Sequence, residues 1–121
     1  MSRHPQRLRD YLRHIVQAGE RIQGYIDGLG ESAFDSDTLR QDAVIRNLEV
    51  IGEASRNILR DHPDFAARHP HLPLASAYEM RNVLSHAYFR VDLKIVWRTL
   101  IDELPGLIRQ TRFALQELDA D

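Results

Sequence analysis

The 121-residue sequence contains no cysteine, which removes disulfides, thiolate-ligated zinc and thiol nucleophiles together. It holds a single lysine, Lys94, so almost all of its positive charge is arginine. No apolar run approaches the ~18 residues of a membrane span. The stretch from Met1 to Arg7 carries charge where a secretory signal would carry an apolar core, and the expectation is a cytoplasmic protein. No segment alternates apolar and polar residues with period two, so strands are not expected. The net charge of −2 lacks the overall excess that marks many nucleic-acid binders, although from Arg81 to Arg98 four cations stand against one acid, Asp92.

What is present is helical periodicity in a chain of one-domain size, 1–121. Leu8, Tyr11, Leu12, Ile15, Val16, Ile22, Tyr25, Ile26 and Leu29 recur mostly every three or four residues and predict a long first helix. Gly28 and Gly30 stop it. The polar stretch 31–37 supplies Asp35, Ser36 and Asp37 as candidate N-caps for a second helix. That helix carries Val44, Leu48, Ile51, Ala54 and Ile58 and ends near Asp61, before Pro63. Residues 61–73 hold three prolines and read as a connector, with room for a helical turn at 64–68. A third helix is expected from Leu74 to the mid-80s. Asp92 caps a last one, whose stripe Leu93, Val96, Trp97, Leu100, Ile101, Leu104, Leu107 and Ile108 is interrupted by Pro105, where a kink is predicted. Four amphipathic helices with short links predict an all-α, up-and-down four-helix bundle with a kinked C-terminal helix.

Chemistry concentrates between Tyr78 and Phe89, where Arg81, His86 and Tyr88 stand in the spacing R-x-x-x-x-H-x-Y. Cleaving RNA through its own 2′-hydroxyl needs a group that moves a proton and a cation that holds the phosphate as charge builds. A histidine, titrating near neutrality, suits the first task, and the planar fork of an arginine the second. RNA itself supplies the nucleophile, so no metal is called for. At ~100° per residue, Arg81 and Tyr88 fall about 20° apart on a helix, whereas His86 falls about 140° from Arg81. The three converge if the helix stops near His86, if the arginine reaches round, or if a second subunit completes the site. A surface arginine, a core-edge histidine and a packed tyrosine would satisfy the spacing alone equally well.

The second helix reads Ala43-Val-Ile-Arg-Asn-Leu-Glu-Val-Ile-Gly-Glu-Ala54. The later region reads Met80-Arg-Asn-Val-Leu-Ser-His-Ala-Tyr-Phe-Arg-Val-Asp92, followed by Val96-Trp-Arg98 and Asp102-Glu-Leu-Pro105. Together, from about Arg7 to Leu107, these resemble the HepT family, HEPN-domain toxins encoded beside a minimal nucleotidyltransferase (MNT) antitoxin. The resemblance implies a HEPN-like bundle acting as the toxin of a type VII toxin–antitoxin system. It further implies a homodimer whose motifs face each other, and metal-independent endoribonuclease chemistry on RNA with no cofactor. Arg81 and His86 would be catalytic, and Asn82, the polar residue after the arginine, supporting. The partner would silence the toxin by adding AMP to Tyr88, setting phosphate and bulk beside Arg81. The chain departs from the family pattern at Leu74, where a tryptophan often precedes the third helix, and at Ala87, where a glycine often precedes the tyrosine. The competing reading is an inactive HEPN bundle that serves as the binding subunit of a nucleotidyltransferase. The complete Arg81/His86/Tyr88 set favours the enzyme.

Five other features carry expectations. Gly52, costing ~1 kcal/mol against alanine inside a helix, implies a close helix–helix approach. Glu53 is either a surface carboxylate or a partner that orients Arg81. Asn82 either holds the scissile phosphate or ties down the helix. Trp97 is assigned to the core, and His62, His69 and His71, without cysteine or fixed helical spacing, are not read as a metal site.

Overall fold

The computed structural model describes residues 5–86 and 92–120. Ala87, Tyr88 and Arg90 lie outside them, and for Ser85 and His86 only the backbone is described. The described residues form seven helices: α1 (Pro5–Ile26), α2 (Glu31–Asp35), α3 (Thr38–Asp61), α4 (Pro63–Arg68), α5 (Leu74–His86), α6 (Leu93–Asp102) and α7 (Leu104–Ala120). No strand occurs among them. The four long units are α1, α3, α5 and the α6–α7 pair, which is the bundle the apolar stripes predict.

Local chemistry sets the boundaries. Gly28 takes φ +73° as the chain leaves α1, a conformation that costs a side-chain-bearing residue dearly. Of the three candidate caps, Asp37 is the one used, its carboxylate accepting from the Arg40 amide at 3.0 Å. That contact and the Arg40 side chain hold the Asp37 carboxyl below the usual aspartate range. Asp92 caps α6 in the same way, accepting from the Lys94 amide at 2.9 Å. Pro105 has no N–H to donate back to Ile101, and its ring crowds that carbonyl. The helix accordingly breaks at Glu103, between α6 and α7. The stretch read as a capping loop holds a difference: residues 31–35 form α2, which drives Phe34 into the core against Trp97, with ring centroids 5.3 Å apart.

Contacts at the helix ends establish the up-and-down order. Tyr11 near the start of α1 meets His62 beyond the end of α3, while Arg40 near the start of α3 donates to the Tyr25 carbonyl near the end of α1. Arg9 bonds Asp119 at 3.0 Å and the Leu118 carbonyl at 2.9 Å, and Arg112 pairs with Glu20, so α7 returns antiparallel to α1. The core is filled by Leu12, Ile15, Ile22, Phe34, Val44, Ile58, Leu100 and Ile108, all essentially inaccessible. Each such side chain contributes about 1.5–3 kcal/mol by leaving water. Buried Ser55 and Thr111 donate to the carbonyls four residues back, Ile51 and Leu107, so the helix satisfies them without a tertiary partner. No helix among the described residues is long and apolar enough to cross a membrane.

Candidate active site

Helices α3 and α5 cross in close contact. Glu53 stands opposite Arg81 and Arg56 opposite Tyr78, an antiparallel register. At the closest point α3 presents Gly52. A Cβ there would lie 2.2 Å from Arg81 Cβ, 2.9 Å from Arg81 Cγ and 2.9 Å from the Ala77 carbonyl oxygen, so only hydrogen fits. The glycine expected to mark a close approach thus seats the stem of the motif arginine.

The head of that arginine is aimed by its neighbours. Arg81 Nη1 donates to Asn82 Oδ1 at 3.3 Å, and Nη2 lies 3.5 Å from Glu53 Oε2. Glu53 also faces Arg56, its Oε1 3.6 Å from Arg56 Nη1. One carboxylate is therefore shared by two guanidiniums, and the cluster stays net positive. Long, partly solvated pairs of this kind contribute less than about 1 kcal/mol each. They direct Arg81, whose side chain remains 35% exposed, without neutralising it. Of the two roles open for Glu53, the structure gives it the contact with Arg81. Asn82 is engaged along α5: it accepts from Arg81 and hydrogen-bonds the Tyr78 hydroxyl. That bond, opposed by partial burial and reinforced by Arg56, holds the Tyr78 hydroxyl below the ordinary tyrosine pKa.

Arg81 opens onto a groove of about 400 Å³ whose other walls, besides Glu53, include residues the sequence did not single out: His14 from α1, and Arg46, Glu49, Val50 and Asn57 from α3. The signal for them was present. Positions 46, 50, 53 and 57 recur every three or four residues on α3 and carry mostly polar side chains. Which neighbours flank that stripe was not readable locally.

The backbone of His86 lies at the far end of the described span of α5, about 7.5 Å along the axis from Arg81. Tyr88 lies outside the described residues. Trp97 is half-buried against the core, as assigned. Two of the three connector histidines are taken up in packing, and His71 is exposed. His62 lies against Tyr11. His69 stacks on Phe65 at 4.1 Å, with its Nδ1 2.9 Å from the Phe65 carbonyl and its Nε2 3.6 Å from Glu117. His71 lies 5.8 Å from His69, ring to ring.

Comparison with known proteins bears on what such a cluster does. Residues 15–113 match the family described as ribonuclease HepT-like. A protein of Thermococcus cleftensis named "Probable ribonuclease HepT" is 41% identical over 99 residues, covering 82% of this chain and 87% of that protein. A candidate RNase of Caldanaerobacter subterraneus is 35% identical over 109 residues, covering 90% and 95%. A Methanocaldococcus jannaschii protein, named as a gamma-glutamylcyclotransferase and candidate RNase, is 36% identical over 109 residues; the match covers 90% of this chain but 48% of that longer protein. No solved structure matches the chain at a significant level.

Proposed function

The chain belongs to the HepT-like ribonuclease family, and on that premise we propose that it is the toxin of a HEPN/MNT toxin–antitoxin pair. In this reading it is a homodimeric, metal-independent endoribonuclease that its partner nucleotidyltransferase silences by adenylylating Tyr88. The observation that carries the reading is Arg81, locked at its stem by Gly52, aimed at its head by Glu53 and Asn82, and still open to a groove. A preorganised cation next to solvent is what a phosphorane-like transition state requires.

In the proposed reaction His86 accepts the proton of an RNA 2′-hydroxyl as O2′ attacks phosphorus. The O2′–P bond forms, the P–O5′ bond breaks, and the 5′ oxygen leaves with a proton taken from water, while the His86 imidazolium returns its own proton to solvent. The strand ends in a 2′,3′-cyclic phosphate. Arg81 takes up the charge that grows on the non-bridging oxygens. Val83, inside the motif on α5 and 60% accessible, offers an apolar side chain to a twofold contact. In silencing, the Tyr88 hydroxyl attacks the α-phosphorus of ATP and pyrophosphate departs. The AMP left on Tyr88 then occupies the seat of the RNA phosphate beside Arg81.

The test is cleavage of a labelled RNA in excess EDTA. Wild type should yield 2′,3′-cyclic ends, Arg81→Ala and His86→Ala should each lose about 10²-fold or more, and sedimentation should show a dimer at micromolar concentration. Tyr88→Phe should keep substantial cleavage yet gain no AMP by intact mass with the cognate nucleotidyltransferase and ATP. Persistent cleavage in either Ala variant, or a requirement for added metal, would sink the assignment.

A further inference from the structure

We propose that the groove floored by α3 is the track of single-stranded RNA on either side of the scissile phosphate, with Arg46 and His14 binding the flanking nucleotides; this rests on the reading of the chain as an RNase. The groove has a floor and two walls. Arg46, Val50, Glu53 and Asn57 lie along one stripe of α3, spanning roughly 16 Å of helix axis, with His14 of α1 on one wall and Arg81 of α5 on the other. Arg81 faces the middle of the stripe, opposite Glu53. A strand whose scissile phosphate sits on Arg81 and which follows the groove passes Arg46 about 10 Å away in one direction and Asn57 in the other.

The charges suit a phosphodiester chain. The Arg46 guanidinium makes no ion pair or hydrogen bond with the described residues, and its side chain is exposed, so it meets an incoming phosphate without first giving up a partner. The two acids lining the groove are already engaged: Glu53 faces Arg81 and Arg56, and Glu49 has an interaction of its own. Exposed His14 offers a ring nitrogen to a phosphate or base edge, the Asn57 amide a donor and an acceptor to a base edge, and half-buried Val50 an apolar surface for a base. Phosphate contacts interleaved with groups that face bases fit an extended single strand, whose bases are open, better than a rigid duplex.

The test uses the full chain and two probes: a cleavable oligoribonucleotide, and a fluorescent, fully 2′-O-methylated oligonucleotide that lacks the nucleophile. Arg46→Ala should weaken binding of the second probe about fivefold to tenfold, and the slope of log affinity against log salt should become shallower by ~0.7. On the first probe KM should rise to a similar extent, with kcat within about twofold of wild type. His14→Ala should raise KM about threefold, and Arg109→Ala on α7 should change nothing. Weaker binding with a shallower slope in a protein that does not cleave would uphold the track and refute the RNase reading. Normal cleavage with Arg46→Ala and His14→Ala indistinguishable from wild type would overturn the track alone. Failure of wild type to bind the methylated probe would overturn it too, as would a change in sedimentation on Arg46→Ala, which would make the groove a protein interface.

Discussion

Two buried glycines stand at helix crossings, and their surroundings differ in kind. Gly19 on α1 faces α7, where an added Cβ would come within 2.7 Å of Ile108 Cγ1 and 2.8 Å of its Cδ1. Those atoms belong to a side chain that can rotate. Gly52 on α3 faces α5, where the obstacles are the Cβ of Arg81 and the backbone carbonyl of Ala77, which cannot move unless α5 does. The first crossing tolerates adjustment and serves packing. The second does not, and it is the one that fixes the motif arginine. Rigidity here is concentrated where the proposed chemistry sits.

The comparison can be broken most forcefully at Gly52. Gly52→Ala should push α5 off α3, destabilise the fold by about 2 kcal/mol as overpacked cores do, and depress RNA cleavage more than stability alone accounts for. Denaturant unfolding and cleavage of the same preparation would measure both. An unchanged midpoint would show that the crossing is not close in solution.

Glu53→Gln tests the head of Arg81 instead of its stem. Because the 3.5 Å pair is partly exposed, the melting temperature should hardly move. The turnover number should nonetheless fall about threefold to tenfold, with KM little altered, as Arg81 loses its aim. A rise in KM without loss of turnover would assign Glu53 to binding.

Gly19→Ala should cost less than about 1 kcal/mol, because the gain in helix propensity offsets the rearrangement of Ile108. Its cleavage rate should match wild type. A penalty equal to that of Gly52→Ala would erase the distinction between the crossings. The smallest effect is expected at Asp37, outside both. Its depressed folded-state pKa means that its contribution is present above the unfolded value of 3.8 and is lost as pH falls through the lower folded one. Asp37→Asn keeps an acceptor for the Arg40 amide, so it should leave neutral-pH stability nearly unchanged and remove only a small part of the acid sensitivity, as followed by circular dichroism between about pH 5 and 2.

Helix-scale features were legible because their causes are local. The end of α3 at Asp61 before Pro63, the Asp37 cap, the break preceding Pro105 and the tight approach at Gly52 each follow from a residue and its immediate neighbours. Helix α2 was not legible: five residues are too few to show a period, and only the docking of Phe34 on Trp97 reveals why they coil. The pairing of Arg81 with Glu53 was one of two roles left open, since it depends on the register between helices 28 positions apart in sequence. His14 and Arg46 were passed over for the same reason. Periodicity shows which face of α3 is polar, but the helices that wall it are chosen by the packing of the whole bundle.

The bonds from Arg9 to Asp119 and to the Leu118 carbonyl carry an architectural consequence. They bring residues 9 and 119 to the same pole, the one where Tyr11 meets His62. Helix α5 runs away from that pole and carries the backbone of His86 toward the opposite one. A second domain spliced on through either α1 or α7 would therefore emerge beside the His14 and Asn57 end of the groove and away from the backbone of His86. A domain added there would stand where a strand following the groove leaves it, whereas a short bridge between these two helices would permute the bundle circularly.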